Sequence, residues 1–433
     1  KKIFVQNTQN DNCFYMQIDG IKLIRIDIKR QICYSLKRIN KRCDMSNQIR
    51  MNKDGEKSCG CFKRCGGCQL AMSYKEQLEW KQSKAQRMLS KFADVKPIIG
   101  MDNPYNYRNK VQTVFRLNQR KQIISGVYQS SSGNMVSVDD CMLENVQSQK
   151  IVAEIKRLMK SFKIFPFDEK QGRGTIRHIM VRYGNSTEEI MVCIVTPSAM
   201  FPSKNNFVKA LLKACPEITT VVQNICTNPM PLTLGDREII LYGKGYIEDM
   251  LCGCKFRISS KSFYQVNPVQ TEKLYGIAVQ EARLNRNDKV IDAYCGIGTI
   301  GIICASHVKQ VIATELNKSA CKDALMNAKL NKLDNITFAN CDAGEFMEQL
   351  ADKGEKVDVV IMDPPRAGAD RRFLESLARL SPERVVYVSC KIETLERDLK
   401  ILRKLGYKAK SIQPVDMFPH TTGIETVTVL NKM

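Results

Sequence analysis

The chain holds 433 residues, with 67 Lys and Arg against 45 Asp and Glu for a net charge of +22, and 43% of it is hydrophobic. That length exceeds what one hydrophobic core usually serves and predicts two or three domains, while no window approaches the run of about 18 apolar residues that a membrane-spanning helix requires. The opening Lys1-Lys2-Ile3-Phe4 lacks the apolar core of a signal peptide, so a cytoplasmic protein without a membrane partner is expected, and most of its 18 cysteines should be buried small hydrophobes rather than a disulfide framework.

Residues 1–130 carry 26 Lys or Arg against 10 Asp or Glu. The basic excess is therefore mostly N-terminal, and it points to a nucleic acid partner, because neutralising phosphates releases condensed counterions. Within that stretch, residues 1–58 alternate apolar positions such as Ile21, Leu23, Ile24, Ile26 and Ile28 with basic segments, predicting a small strand-rich module. Cys59, Cys61, Cys65 and Cys68 follow, the last two as Cys-Gly-Gly-Cys, which is a poor core pattern and a good metal loop. Ser73-x-x-Glu76 is a capping box. It predicts a helix running to about Phe92 whose polar face carries Lys75, Lys81, Lys84 and Arg87. Residues 59–255 read as a mixed α+β central domain, without internal repeats.

From about residue 288 the pattern becomes regular. Apolar stretches at Val290-Ile291, Val311-Ile312, Val357 to Met362 and Val385 to Val388 alternate with segments of helical length, so residues 256–433 are predicted to form an α/β domain with a doubly wound parallel sheet. Ligands of such folds sit at the carboxyl ends of the strands. The first strand leads into the glycine turn Asp292-Ala293-Tyr294-Cys295-Gly296-Ile297-Gly298-Thr299, and Glu315 ends the second, 23 residues after Asp292, where this fold places an acid for ribose hydroxyls. Asp342 follows the third strand, placed to accept from an adenine amino group. The turn is not G-x-G-x-x-G, which favours a single adenosyl ligand over a dinucleotide. The fourth strand ends in Asp363-Pro364-Pro365-Arg366 and the fifth in Ser389-Cys390, a thiol at the mouth of the sheet. Glu425 stands just before the last apolar stretch.

Taken in order, Tyr107-Arg108-Asn109-Lys110, Phe263-Tyr264-Gln265-Val266-Asn267, the glycine turn, Asp363-Pro364-Pro365-Arg366, Ser389-Cys390 and Glu425 resemble the RNA uracil-5-methyltransferase family. The likeness runs from about residue 59 to the end and is to the bacterial ribosomal RNA branch with an iron-sulfur cluster. It implies a Rossmann-like S-adenosylmethionine domain whose cofactor is lined by Gln265, Tyr294, Gly296, Thr299, Glu315, Asp342 and Asp363. Carbon C5 of uracil is a poor nucleophile, so the family's chemistry needs a thiolate to add at C6 and a base to take the C5 proton. The resemblance assigns these roles to Cys390 and Glu425, with Asp363 beside the flipped base. It also implies that Cys59, Cys65, Cys68 and Cys141 hold a [4Fe-4S] cluster; by residue type alone, Cys61 could replace Cys59, and zinc could replace iron. The implied partner is 23S ribosomal RNA, bound by a monomer, and residues 1–58 would correspond to a TRAM-like RNA-binding barrel.

Two features separate this chain from its neighbours in sequence. Gly423 stands where the family commonly has His, two residues before the catalytic Glu. Cytosine-5 methyltransferases carry a second Cys where this chain has Pro365, and amino-group methyltransferases an aromatic where it has Arg366. The transfer-RNA branch lacks the cluster. A non-catalytic iron-sulfur RNA-binding protein would explain charge and cysteines but leave Cys390 and Glu425 without a role.

Overall fold

Alternation of apolar and polar positions produces strands in the first sixty residues. The computed structural model describes the backbone of residues 4–6, 14–18, 21–26 and 49–51, Gly55, and residues 57–62, 64–129 and 132–433. Phe4–Gln6, Phe14–Ile18 and Ile21–Ile26 pair as an antiparallel meander, and Ile49–Met51 pairs with Lys57–Cys59. The chain divides into two compact units, Lys1–Gly60 and Cys61–Met433. Much of the expected barrel lies outside the described residues. Among the described residues, no helix is long and apolar enough to cross a membrane.

The second unit is built on two sheets. In the first, the β-branched runs Ile190–Thr196 and Ile218–Ile225 are almost wholly buried and pair in parallel. They lie inside a seven-stranded sheet ordered Arg237–Tyr242, Ile218–Ile225, Ile190–Thr196, His178–Tyr183, Lys110–Leu117, Ile123–Tyr128 and Met135–Ser137, whose other pairs are antiparallel. Helix Val146–Ser161 starts at Asn145, whose side chain accepts from the backbone N–H groups of Gln147 and Ser148. Its Ile151, Ile155 and Met159 share a core with Phe207 and Leu211 of helix Lys204–Ala214 and with Val111, Ile179 and Val192 of the sheet.

The second sheet matches the predicted doubly wound domain. Its order is Ile336–Ala339, Gln310–Thr314, Lys289–Ala293, Val359–Met362 and Arg384–Ser389, all parallel, followed by antiparallel Glu425–Lys432, then Tyr407–Val415 and Asp94–Val95. Strand order reverses between Lys289–Ala293 and Val359–Met362, which opens a crevice above those two carboxyl ends.

Residues from the predicted central domain complete this sheet. Helix Tyr74–Leu89 starts with the expected capping box, with Ser73 and Glu76 bonding each other's backbone, and ends at Leu89 rather than Phe92. Its Ala85 and Leu89, with Val95, pack against Leu399, Tyr407 and Ile412. The hairpin of Ile247–Leu251 and Cys254–Ile258 spans the expected boundary at residue 255, and its Phe256 joins Leu274 and Ala278 of helix Pro268–Ala282 in the core on the sheet's other face. A short helix with one apolar stripe needs a partner, and the sheet edge supplies it. Lys81, expected on the solvated face, is instead fully buried against Asp416.

Candidate active site

A cleft of about 1350 Å³ opens over the carboxyl ends of the parallel strands, and every candidate cofactor and reaction residue named from the sequence lines it: Gln265, Tyr294, Gly296, Thr299, Glu315, Asp342, Asp363, Cys390 and Glu425. The glycine turn closes sharply because Tyr294, Gly296 and Gly298 take φ of 65°, 58° and 84°. For Tyr294 that left-handed conformation is costly and is held by its surroundings, with its ring against Phe373 at 5.3 Å. Asp292 ties strand to helix by accepting from the Gly301 N–H at 2.7 Å. Burial, with Asp363 and Glu315 nearby, pushes its carboxyl up to about 7. Glu315 braces the turn by accepting from the Gly296 N–H at 2.9 Å and from the Asn317 N–H at 2.7 Å. Asp342 caps helix Ala343–Asp352 through the Glu345 N–H.

The two upstream motifs form one hydrogen-bonded structure. Asn109 donates from its side chain to the Gln265 carbonyl at 3.1 Å and from its backbone to the Val266 carbonyl at 3.0 Å. Arg182, buried in strand His178–Tyr183, donates to the carbonyls of Ser260 and Ser262. Asn267 caps helix Pro268–Ala282 and donates to the Met417 carbonyl at 2.9 Å. Gln265 is thereby fixed at the cleft wall from both sides. Tyr275, which sequence reading passed over, sits on the buried stripe of that helix and faces the cleft near Thr299 and Gln265. Its position on an apolar stripe is what makes it read as plain core.

Strand register brings the reaction residues together. Ser389 pairs with Thr426, so Cys390 and Glu425 stand at adjoining strand ends, and Met362 pairs with Tyr387, which sets Asp363 beside them. Cys390 is half-buried. Burial lifts its thiol to about 11, with Glu425 and Asp363 adding to the shift and Arg366 opposing it. Glu425 is 2% exposed; burial and then Asp363 hold its acid well above the usual carboxylate range, again against Arg366. Asp363 is pushed up to about 7 by burial. Burial thus disfavours the anionic form of both the Cys390 thiol and the Glu425 carboxyl, and one guanidinium, Arg366, favours it in each. Addition followed by proton removal is the chemistry such a pair can perform. At Gly423, a Cβ would lie 3.1 Å from the Phe418 ring.

The cysteine candidates converge only in part. Cys65 and Cys141 line the same cleft, and Cys68 is buried nearby. The Cys141 thiol is raised by burial first, then by Glu144 and Cys68. The Gly67 N–H points at the Cys65 sulfur at 3.4 Å. Cys61 is buried, with its sulfur 3.6 Å from the Ser137 carbonyl. Cys59 belongs to the first compact unit, and among the described residues no three His, Cys, Asp or Glu side chains are grouped so as to hold a metal ion.

Comparison with known proteins gives the same reading. Residues 235–433 match the family model described as tRNA (Uracil-5-)-methyltransferase. An uncharacterized RNA methyltransferase of Halalkalibacterium halodurans is 42% identical over 392 residues, covering 89% of this chain and 85% of that protein. One from Staphylococcus aureus is 38% identical over 414 residues, covering 93% and 91%. Among solved structures, the Pyrococcus abyssi tRNA (uracil-54, C5)-methyltransferase in complex with S-adenosyl-L-homocysteine superposes with a TM-score of 0.68 at 27% identity, covering 88% of this chain and 91% of that one. With relatives this similar along most of its length, and with this cleft, the chain belongs to the S-adenosylmethionine-dependent RNA uracil-5-methyltransferase family.

Proposed function

We propose that the protein methylates C5 of a uridine in 23S ribosomal RNA through a covalent bond between Cys390 and C6 of the ring. The observation that carries this reading is the pairing of Ser389 with Thr426, which sets a thiol and a buried carboxyl at adjoining strand ends in one cleft. When bound, S-adenosylmethionine would supply an electrophilic methyl group, and Gln265, Tyr294, Gly296, Thr299, Glu315, Asp342 and Asp363, which line the cleft, would hold it. The target base leaves its stack to reach Cys390. The Cys390 thiolate adds to C6, and the C5–C6 π electrons become an enolate spread over C5 and O4. C5 takes the methyl group, with S-adenosylhomocysteine as the leaving group; Glu425, in its carboxylate form, removes the C5 proton, and the electron pair left behind restores the double bond and expels the Cys390 thiolate. Arg366 favours both anions in turn, and Asp363 stands at the edge of the base. The basic excess of residues 1–130 suits a phosphate backbone, and the ribosomal assignment rests on resemblance to the cluster-bearing branch. Mass-spectrometric mapping of 5-methyluridine in cells with and without the protein tests it. A site in 23S RNA should lose its methyl group; loss confined to transfer RNA would overturn the assignment.

The proposal extends to Cys59, Cys65, Cys68 and Cys141 as ligands of a [4Fe-4S] cluster. An all-thiolate donor set, the neighbouring Cys68 and Cys141, and an N–H directed at the Cys65 sulfur suit such a centre. When bound, the cluster would have a structural role, since methyl transfer moves no net electrons. Anaerobically purified protein should be brown and contain iron and sulfide, and Cys68→Ser should remove the colour. Stoichiometric zinc without iron would show a different centre.

A further inference from the structure

We infer that Gln69, the residue after Cys68, is a positioning residue for Glu425, a reading that rests on the covalent mechanism proposed above. The Gln69 side-chain oxygen accepts two hydrogen bonds from Thr422, one from its backbone N–H at 2.9 Å and one from its hydroxyl at 2.8 Å. The backbone N–H groups of Gln69 and Leu70 both donate to the His420 carbonyl, at 2.8 and 3.2 Å. The N-terminal part of the segment they hold has other ties: the His420 N–H donates to the Gln77 side-chain oxygen at 2.7 Å, the Tyr107 hydroxyl donates to the Pro419 carbonyl at 3.1 Å and the Lys81 ammonium to the Phe418 carbonyl at 3.1 Å. Within it, Thr421 turns back on the Phe418 carbonyl, Gly423 donates to the Thr421 hydroxyl at 3.2 Å, and His420 has φ of 68°. A non-glycine residue in that left-handed region persists where its surroundings impose it.

Glu425 lies three residues beyond Thr422 and begins strand Glu425–Lys432. Strand pairing fixes the chain after it; before it, Gln77 and Lys81 hold the root at His420 and Phe418, and the Gln69 side chain holds Thr422. Cys390 and the glycine turn hang from other strands; Gln69 lines the same cleft, but its side-chain bonds described above go to Thr422. Loss of the Gln69 side chain should therefore spare thiolate addition and methyl transfer, and disturb the step that needs the Glu425 carboxylate within reach of the C5 proton. The same arrangement makes the cysteine loop a mechanical support, because the chain that leaves Cys68 is the chain that grips the loop of the base.

The test compares full-length wild type, Gln69→Ala and Gln69→Glu, all purified anaerobically, in single turnovers with methyl-labelled S-adenosylmethionine and RNA tritiated at C5 of uridine. For Gln69→Ala, methylated protein-RNA adduct should form at the wild-type rate, while tritium release slows by roughly 10- to 100-fold, the cost of a misplacement of about 1 Å. Gln69→Glu keeps an oxygen acceptor for Thr422 and should recover most of the release rate. Hydrogen exchange of the amides between His420 and Glu425 gives a readout independent of mechanism, and should quicken in Gln69→Ala. Unchanged exchange overturns the clamp. Faster exchange with unchanged release, an equal fall in methylation and release, or a raised KM for RNA with normal release each overturns the positioning role. If wild-type enzyme forms no adduct with 5-fluorouridine RNA, the covalent reading itself fails and takes this inference with it, whatever the exchange shows.

Discussion

Replacing Cys390 with alanine should abolish both methylation and every covalent enzyme-RNA species, whereas Glu425→Gln should leave methyl transfer intact and stall the enzyme afterwards. Thiolate addition comes first, because uracil C5 acquires nucleophilic character only once C6 is occupied. Proton removal comes last, and loss of a general base costs roughly 10²- to 10⁴-fold. The methylated adduct of Glu425→Gln should therefore accumulate as an RNA-linked protein that survives denaturing electrophoresis and carries the label. The near isosteric change in a residue 2% exposed should keep the fold, and it removes a group whose neutral form burial already favours. Wild-type enzyme should be trapped in the same way by 5-fluorouridine RNA, since fluorine cannot leave as a proton does. Methylation by Cys390→Ala, or the absence of adduct with both Glu425→Gln and the fluorinated RNA, would rule out the covalent route.

The residues that reach the cleft from strand ends were legible because each follows an apolar stretch whose end the sequence marks. Glu315, Asp342, Asp363 and Cys390 all stand at or just past the carboxyl ends of parallel strands, and Tyr294 and Gly296 in the turn after the first. What could not be read was the choice of long-range partners. Nothing local says that Asn109 will bond the backbone at Gln265 and Val266, or that Asn267 will reach Met417, although both belong to motifs that the family resemblance had singled out. Helix Tyr74–Leu89 had a clear start signal and an ambiguous destination; strand Tyr407–Val415 and the Leu399 helix face, more than 300 residues later, explain where it packs. Gln69 was invisible for a similar reason. A glutamine beside a cysteine loop has no distinguishing pattern until the loop it grips is folded against it.

Lys81→Met should destabilise the second unit by about 3–5 kcal/mol, far more than any surface ion pair, whose loss costs roughly 0–1 kcal/mol. The sequence did contain the warning. Gln77, Lys81, Ala85 and Leu89 follow one another at intervals of four, so Lys81 shares the stripe of the helix that ends in Leu89, and all four are buried. Its ammonium lies 2.5 Å from an Asp416 carboxylate oxygen, with both side chains fully inaccessible, and donates to the Phe418 carbonyl at 3.1 Å. Burial draws the Lys81 ammonium down from its ordinary value and Asp416 holds it up. Removing the lysine leaves a carboxylate in the core whose remaining side-chain donor among the described residues is the Tyr74 hydroxyl, at 2.9 Å, and that unpaired charge is what the variant suffers from. Asp416→Asn added to Lys81→Met removes the charge and keeps an acceptor for Tyr74, so the double variant should be more stable than Lys81→Met alone. Urea unfolding of the three proteins measures this. A loss within about 1 kcal/mol for Lys81→Met, or a double variant weaker than the single one, would show that the pair is not the anchor its burial suggests. Because the same ammonium holds the Phe418 carbonyl at the root of the Glu425 loop, product release should slow in Lys81→Met as well, and the double variant, which restores the charge balance but not that bond, should regain stability without regaining release.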